Sequence, residues 1–216
     1  LTVGTTHAVS TNCVITFELT NPTSDQTTSP SVSVEAALTD GTSSIGSIAK
    51  AAMTKPGGDK YGITNGEYPL LVVVPTFDTK SIVQSTPVSG ATNLITVTLN
   101  ANYELTAGSS TKVTITDLKG STTATTTTLT VTTCSDKLGT QGNWDKDTGT
   151  LILTVGTTHA VSTDCVITFE LTNPTSDQTT SPSVSVEAAL TDGTSSIGSI
   201  AKAAMAKPGE IGRAHV

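Results

Sequence analysis

Residues 1–57 recur at 153–209 with 55 of 57 positions identical, and only Asn12/Asp164 and Thr54/Ala206 differ. The offset of 152 residues is too long for a solenoid unit and suits one domain. The 216-residue chain therefore reads as one full period and about a third of another, a piece of a tandem array of domains. This constrains the fold strongly. The first copy of the shared segment lacks the residues that precede the second, so one sequence must meet two different surroundings.

The period is built of strands. Period-2 alternation runs through Asn93–Asn100, with Ile95, Val97 and Leu99 on one face and threonines on the other. It recurs in Lys112–Asp117 (Val113, Ile115 inward), Thr127–Thr132 (Leu129, Val131) and Thr150–Val155 (Leu151, Leu153, Val155). Cys165–Thr172 points Cys165, Ile167, Phe169 and Leu171 inward, and Ser183–Leu190 does so with Val184, Val186, Ala188 and Leu190. A leading strand falls in Leu71–Val74 or Lys80–Ser85. Asp147-Thr148-Gly149 suits a hairpin from the Trp144 side, Asn173-Pro174 ends a strand, and Thr191-Asp192-Gly193 ends the next. Thr194–Pro208 contains Ala and Met that allow a short helix, weakened by Gly198 and Ser199; it is read as a connection with a short edge strand. About seven short strands, each with one polar face, predict an all-β fold of antiparallel sheets stacked as a sandwich. The expected layout is the C-terminal part of a first repeat at 1–43, a connection at 44–70, a complete sandwich at 71–192 and a second connection at 193–209. Residues 1–43 should be poorly packed or borrow an edge of the complete domain. Residues 210–216, EIGRAHV, break the repeat and resemble the translation of a common short-read sequencing adapter, so Arg213 and His215 carry no argument.

In strand number, spacing and tandem identity, residues 71–192 resemble the tandem immunoglobulin-like sandwiches of large surface and adhesion proteins. The resemblance implies an immunoglobulin-like architecture and a structural or adhesive role at a cell surface. Trp144 lies between Cys134 and Cys165, but at spacings other than those of antibody domains.

Cysteine usage is the sharpest chemical signal. Cys13 and Cys165 are one repeat position, and the mate of Cys134 would lie ahead of Leu1, so the parent period carries two cysteines. Pairing Cys134 with Cys165 closes a loop of about 30 residues and implies an oxidising, extracellular or cell-surface setting. Cys13 is then unpaired by truncation. The alternative is two buried free thiols in a reduced intracellular protein.

Other sites are weighed on their residues. His7 and His159 are one repeat position, and one His without a partner makes no metal site. His159 precedes Cys165 by six residues, which invites a Cys–His nucleophile, but Cys165 alternates with core residues and faces inward. Asp145 and Asp147 have a D-x-D-x-G spacing that could serve Ca²⁺, but further acidic ligands are missing and a plain turn fits better. Asp136 and Asp164 neighbour the cysteines, yet the mate of Asp164 is Asn12. Trp144 is either a sugar-stacking platform or a core plug. The tract Thr122–Thr128, in a chain with 46 threonines, is either an O-glycosylated segment or a threonine-rich edge strand. Asn21 and Asn173 are each followed by Pro and so are not N-glycosylation acceptors.

With Lys plus Arg 11 against Asp plus Glu 18 and a net charge of -7, the chain lacks the basic cluster that a phosphate backbone needs, so no nucleic acid is expected. The longest apolar run, Leu70–Val74, falls far short of a membrane span. No phosphate loop, nucleophile elbow or paired catalytic carboxylates are found, and no cofactor is expected. The expected function is a non-enzymatic structural or adhesive spacer of an extracellular tandem-repeat surface protein. Its partners would be neighbouring repeats, other surface proteins or glycans. The alternative is an accessory carbohydrate- or calcium-binding module of a larger secreted enzyme.

Overall fold

The computed structural model describes residues 10–55 and 57–207; residues 208–216, with the EIGRAHV string, and His7 lie outside the described residues. The chain is all-β. In order the strands are β1 (Ser33–Thr39), β2 (Ser44–Ala52), β3 (Phe77–Gln84), β4 (Thr92–Ala101), β5 (Lys112–Thr116) and β6 (Thr126–Thr132), followed by β7 (Gln141–Asp145), β8 (Thr150–Thr154), β9 (Cys165–Thr172), β10 (Ser185–Thr191) and β11 (Ser196–Ala204).

β1 and β2 form a separate hairpin, and the other nine strands form one antiparallel sheet in the order β11-β10-β5-β8-β7-β6-β9-β4-β3. The sheet rolls up because β6 changes partner along its length. Thr126–Thr130 pair with β7, whereas Val131 and Thr132 pair with β9. The two edges nearly meet where Ala206, just past β11, makes a parallel bridge to Ser81 of β3. Ala206 N–H donates to Lys80 O at 2.8 Å and Ala206 O accepts from Ile82 N–H at 3.0 Å. Only backbone is used there, which explains why the repeat tolerates Thr54 against Ala206 at this position.

The alternating residues line the inside of this barrel-like sheet. Val97, Val113, Ile115, Leu151, Leu153, Ile167 and Val186 are wholly buried. Apolar burial of this extent is the main driving force of the fold. Leu129 is only partly buried, because the β6–β7 ladder slips between Thr126 and Leu129. On the same face of β4, Asn93 is buried yet fully engaged. Its amide N–H groups donate to Gln84 Oε1 at 2.9 Å and Asn173 Oδ1 at 2.8 Å, and its Oδ1 accepts from Ser85 N–H at 3.1 Å. The hydrogen bonds offset the desolvation of a polar side chain on a core face.

Two expectations need correction. The sheet has nine strands, not about seven, because Gln141–Asp145 and Ser196–Ala204 also pair. The second of these occupies the stretch read as a connection with a short edge strand, and its edge strand runs nine residues and belongs to the main sheet. Of the two stretches that could hold the leading strand, Lys80–Ser85 falls almost wholly within β3, whereas Leu71–Val74 carries an isolated bridge between Val72 and Gln26.

The repeated segment behaves differently in its two copies. The hairpin β1–β2 has the same register as β10–β11, with Ala36 opposite Ile48 and Ala188 opposite Ile200. Both hairpins turn on an aspartate, Asp40 or Asp192, whose carboxylate accepts the N–H groups of the residues two and three positions on. This is a local turn that needs nothing from the rest of the fold. The strand CVITFELT is β9 in the second copy, flanked by β4 and β6, but Cys13–Thr20 has no strand partner. Phe17 is 74% exposed where its mate Phe169 is 2% exposed.

Candidate functional site

Cys134, Cys165 and His159 meet at one end of the sheet. Cys134 lies in a short 3₁₀ turn, Cys134–Asp136, directly after β6. Thr133 pins that turn: its hydroxyl donates to Gly139 O at 3.1 Å and accepts from Leu138 N–H at 3.3 Å. Cys165 opens β9 opposite Leu99 of β4. His159 is fixed by a two-way backbone bridge to Leu105, with both N···O distances 3.0 Å.

A disulfide joins Cys134 to Cys165, whose Cα atoms are 4.9 Å apart. It ties the end of β6 to the start of β9, close to where β6 changes partner. Cys165 and His159 are buried, and Cys134 is half-buried. His159 Nε2 lies 2.9 Å from Thr163 O. A carbonyl oxygen only accepts, so Nε2 carries the proton and donates it. In that tautomer Nδ1 presents its lone pair 3.8 Å from Cys134 Sγ. The expectation that His159 stands without a partner is therefore corrected, since the fold brings it against both cysteines. Sequence reasoning paired it only with Cys165, six residues away, and missed the half of the site that arrives from β6. The even parity of cysteines and the single His per period were the only signals available.

The other candidates are accounted for locally. Trp144, on β7, is 0% exposed and donates its Nε1–H to Thr123 O at 3.1 Å. It forms a core plug and presents no stacking face to solvent. Asp145 Oδ1 accepts from Asp147 N–H at 3.0 Å, and its Oδ2 accepts from Thr148 Oγ1 at 2.8 Å. These bonds hold the Asp145 carboxyl below the usual carboxylate range, with the Thr148 hydroxyl the larger cause. The carboxylate is thus spent on its own turn. The tract Thr122–Thr128 runs into β6, which lies between β7 and β9 and is no edge strand. Asp164 accepts from Asn100 Nδ2 at 2.7 Å on the surface. Cys13 is an exposed free thiol.

The chain matches no family model and no curated protein. Fold and site together define an all-β protein with a nearly closed antiparallel sheet and an internal disulfide. Among the described residues no helix is long and apolar enough to cross a membrane.

Proposed function

We propose that the chain is a non-enzymatic structural or adhesive spacer from an extracellular tandem array of immunoglobulin-like sandwich domains. One observation carries the reading: in a segment repeated at 55 of 57 positions, described apolar residues such as Phe169 and Ile200 are buried in the complete period while their mates Phe17 and Ile48 are bare. Val34, Leu38 and Ile48 of β1–β2 are exposed, whereas their mates Val186, Leu190 and Ile200 are buried. Each domain thus draws its core from one period of sequence, and the same apolar face lies open in the first copy. The disulfide agrees with an oxidising compartment. Multiplying such a unit multiplies length and the number of displayed surfaces, so weak contacts to surface proteins or glycans sum through effective concentration.

The accessory-module reading has less support, because Trp144 is buried and the Asp145 carboxylate serves its own turn. The test is a series of polypeptides holding one, two and three complete periods. Small-angle scattering should show the maximum dimension growing by a constant step per period, and calorimetry should show one shared melting temperature. A maximum dimension that does not rise with period number, or saturable Ca²⁺ stabilisation of a single period, would refute the spacer reading.

A further inference from the structure

The disulfide does not stand alone. The two Sγ atoms and a ring nitrogen of His159 all lie within 4.8 Å of one another. We propose that the reduced protein holds a divalent, thiophilic cation of the Zn²⁺ class through Cys134 Sγ, Cys165 Sγ and His159 Nδ1, and that the disulfide and the metal are alternative closures of the same site.

Three features support this. The first is spacing. Ligand distances of about 2.3 Å to sulfur and about 2.1 Å to nitrogen set tetrahedral separations of about 3.8 Å between sulfurs and about 3.6 Å between sulfur and nitrogen. His159 Nδ1 already stands 3.8 Å from Cys134 Sγ. The Cα atoms of the two cysteines are 4.9 Å apart at the ends of neighbouring strands, so both sulfurs start close to one point. The second is the outer partner of the imidazole. A metal-bound His characteristically gives its other N–H to a carbonyl or carboxylate, which fixes the tautomer and the ring plane. His159 does this through Nε2 and Thr163 O, and its backbone is clamped to Leu105. The third is charge. Two thiolates and a divalent cation sum to zero, so the buried positions of Cys165 and His159 carry no net charge. Cys134 is only half-buried, which leaves a path for the cation and for a water as fourth ligand.

The chemistry balances with a named reductant. Two equivalents of a small thiol supply two electrons and two protons, cleave the Cys134–Cys165 bond to two thiols and leave as their own disulfide. The cation then displaces one proton from each thiol. Oxidation by a disulfide of the same class reverses the first step and expels the metal. The spacer reading is not needed for this inference.

The test uses the full chain with Cys13→Ser, which removes the exposed thiol. After phosphine reduction without oxygen, Co²⁺ is titrated as a spectroscopic stand-in for Zn²⁺. The expected result is one equivalent bound, with near-ultraviolet thiolate-to-cobalt bands and intense visible bands of a tetrahedral ion, all bleached by Zn²⁺. The oxidised protein should give none of these bands, and His159→Ala should weaken binding at least tenfold. Reduced protein that shows no thiolate-to-cobalt band overturns the proposal, as does unchanged affinity in His159→Ala. If reduction loosens the fold, the fluorescence of the single buried tryptophan, Trp144, reports it. Zn²⁺ should then restore the native spectrum, and reduced protein that stays unfolded with Zn²⁺ equally overturns the proposal.

Discussion

Ile48 and Ile200 are one residue of the repeat in two tertiary settings, which makes them a controlled measurement of burial. Their sequence neighbours are identical and each faces an alanine in the same hairpin register, Ala36 or Ala188. Ile48 is 58% exposed and Ile200 is 2% exposed. Truncation to alanine removes the same carbons and the same strand propensity from both, so the difference isolates packing. At Ile200 the removed carbons are worth about 0.8 kcal/mol each, and the cavity left behind adds to this. Ile200 is the one wholly buried residue of an edge strand, where neighbours can partly relax, so Ile200→Ala should cost about 2.5–3.5 kcal/mol, in the lower half of the usual range. The nine-stranded sheet spans roughly 130 residues, and an unfolding entropy of about 2.1 cal/mol/K per residue turns each kcal/mol into about 3.7 °C. Calorimetry, with Trp144 fluorescence as a second probe, should therefore show Ile200→Ala melting about 9–13 °C lower. Ile48→Ala should stay within about 2 °C of the parent, as surface substitutions do. Equal shifts for the two variants, or a larger one at Ile48, would show that the first hairpin is as well packed as the second and would refute the reasoning.

Replacing both Cys134 and Cys165 with alanine should lower stability by about 3.7 kcal/mol in the chain-entropy account of a loop of about 31 residues; urea denaturation showing less than about 1 kcal/mol would contradict a structural role for the bridge. Gly149 has φ +66°, and a Cβ there would lie 2.7 Å from Leu118 C, whereas one at Gly193, φ +97°, would meet nothing closer than 3.6 Å. Gly149→Ala should thus cost at least about 2 kcal/mol, the left-handed backbone penalty of about 1–2 kcal/mol with a backbone clash added, and clearly more than Gly193→Ala; equal losses in thermal melts would argue against the clash. The N–H groups of Ser195 and Thr194 hold the Asp192 carboxyl down at about 2. A depressed carboxylate stabilises the fold fully above its unfolded value of about 3.9, and that contribution is lost as pH falls through about 2. Asp192→Asn should therefore flatten the fall in melting temperature between pH 4 and pH 2, and parallel curves for variant and parent would exclude this cause.

Periodicity located β4, β5, β6, β8, β9 and β10 to within two residues, because each carries several large apolar side chains at spacing two. It missed β7 and β11 for different reasons. Gln141–Asp145 has one apolar side chain, Trp144, and a glycine, Gly142, whose absent side chain makes room for Leu151 and Leu153. Ser196–Ala204 is mostly exposed and buries Ile200 alone, so no alternation marks it. The Cys134–Cys165 pairing was legible from the parity of the repeat. The approach of His159 was not, because it depends on the bridge to Leu105 and on where β6 ends.

The two copies of the repeat separate what sequence determines from what tertiary structure decides. Sequence alone determines the hairpin: Ser33–Ala52 and Ser185–Ala204 adopt one register twice, since an aspartate turn and the facing strands are close in the chain and close a short loop. Tertiary structure decides everything that needs a distant partner. CVITFELT is a central strand only where β4 and β6 stand on either side of it, and Ile200, Leu190 and Val186 are core only where β5 and the opposite wall of the sheet cover them. A central strand gains its hydrogen bonds and its burial from residues tens of positions away, so without that part of the period its sequence has nothing to pair with.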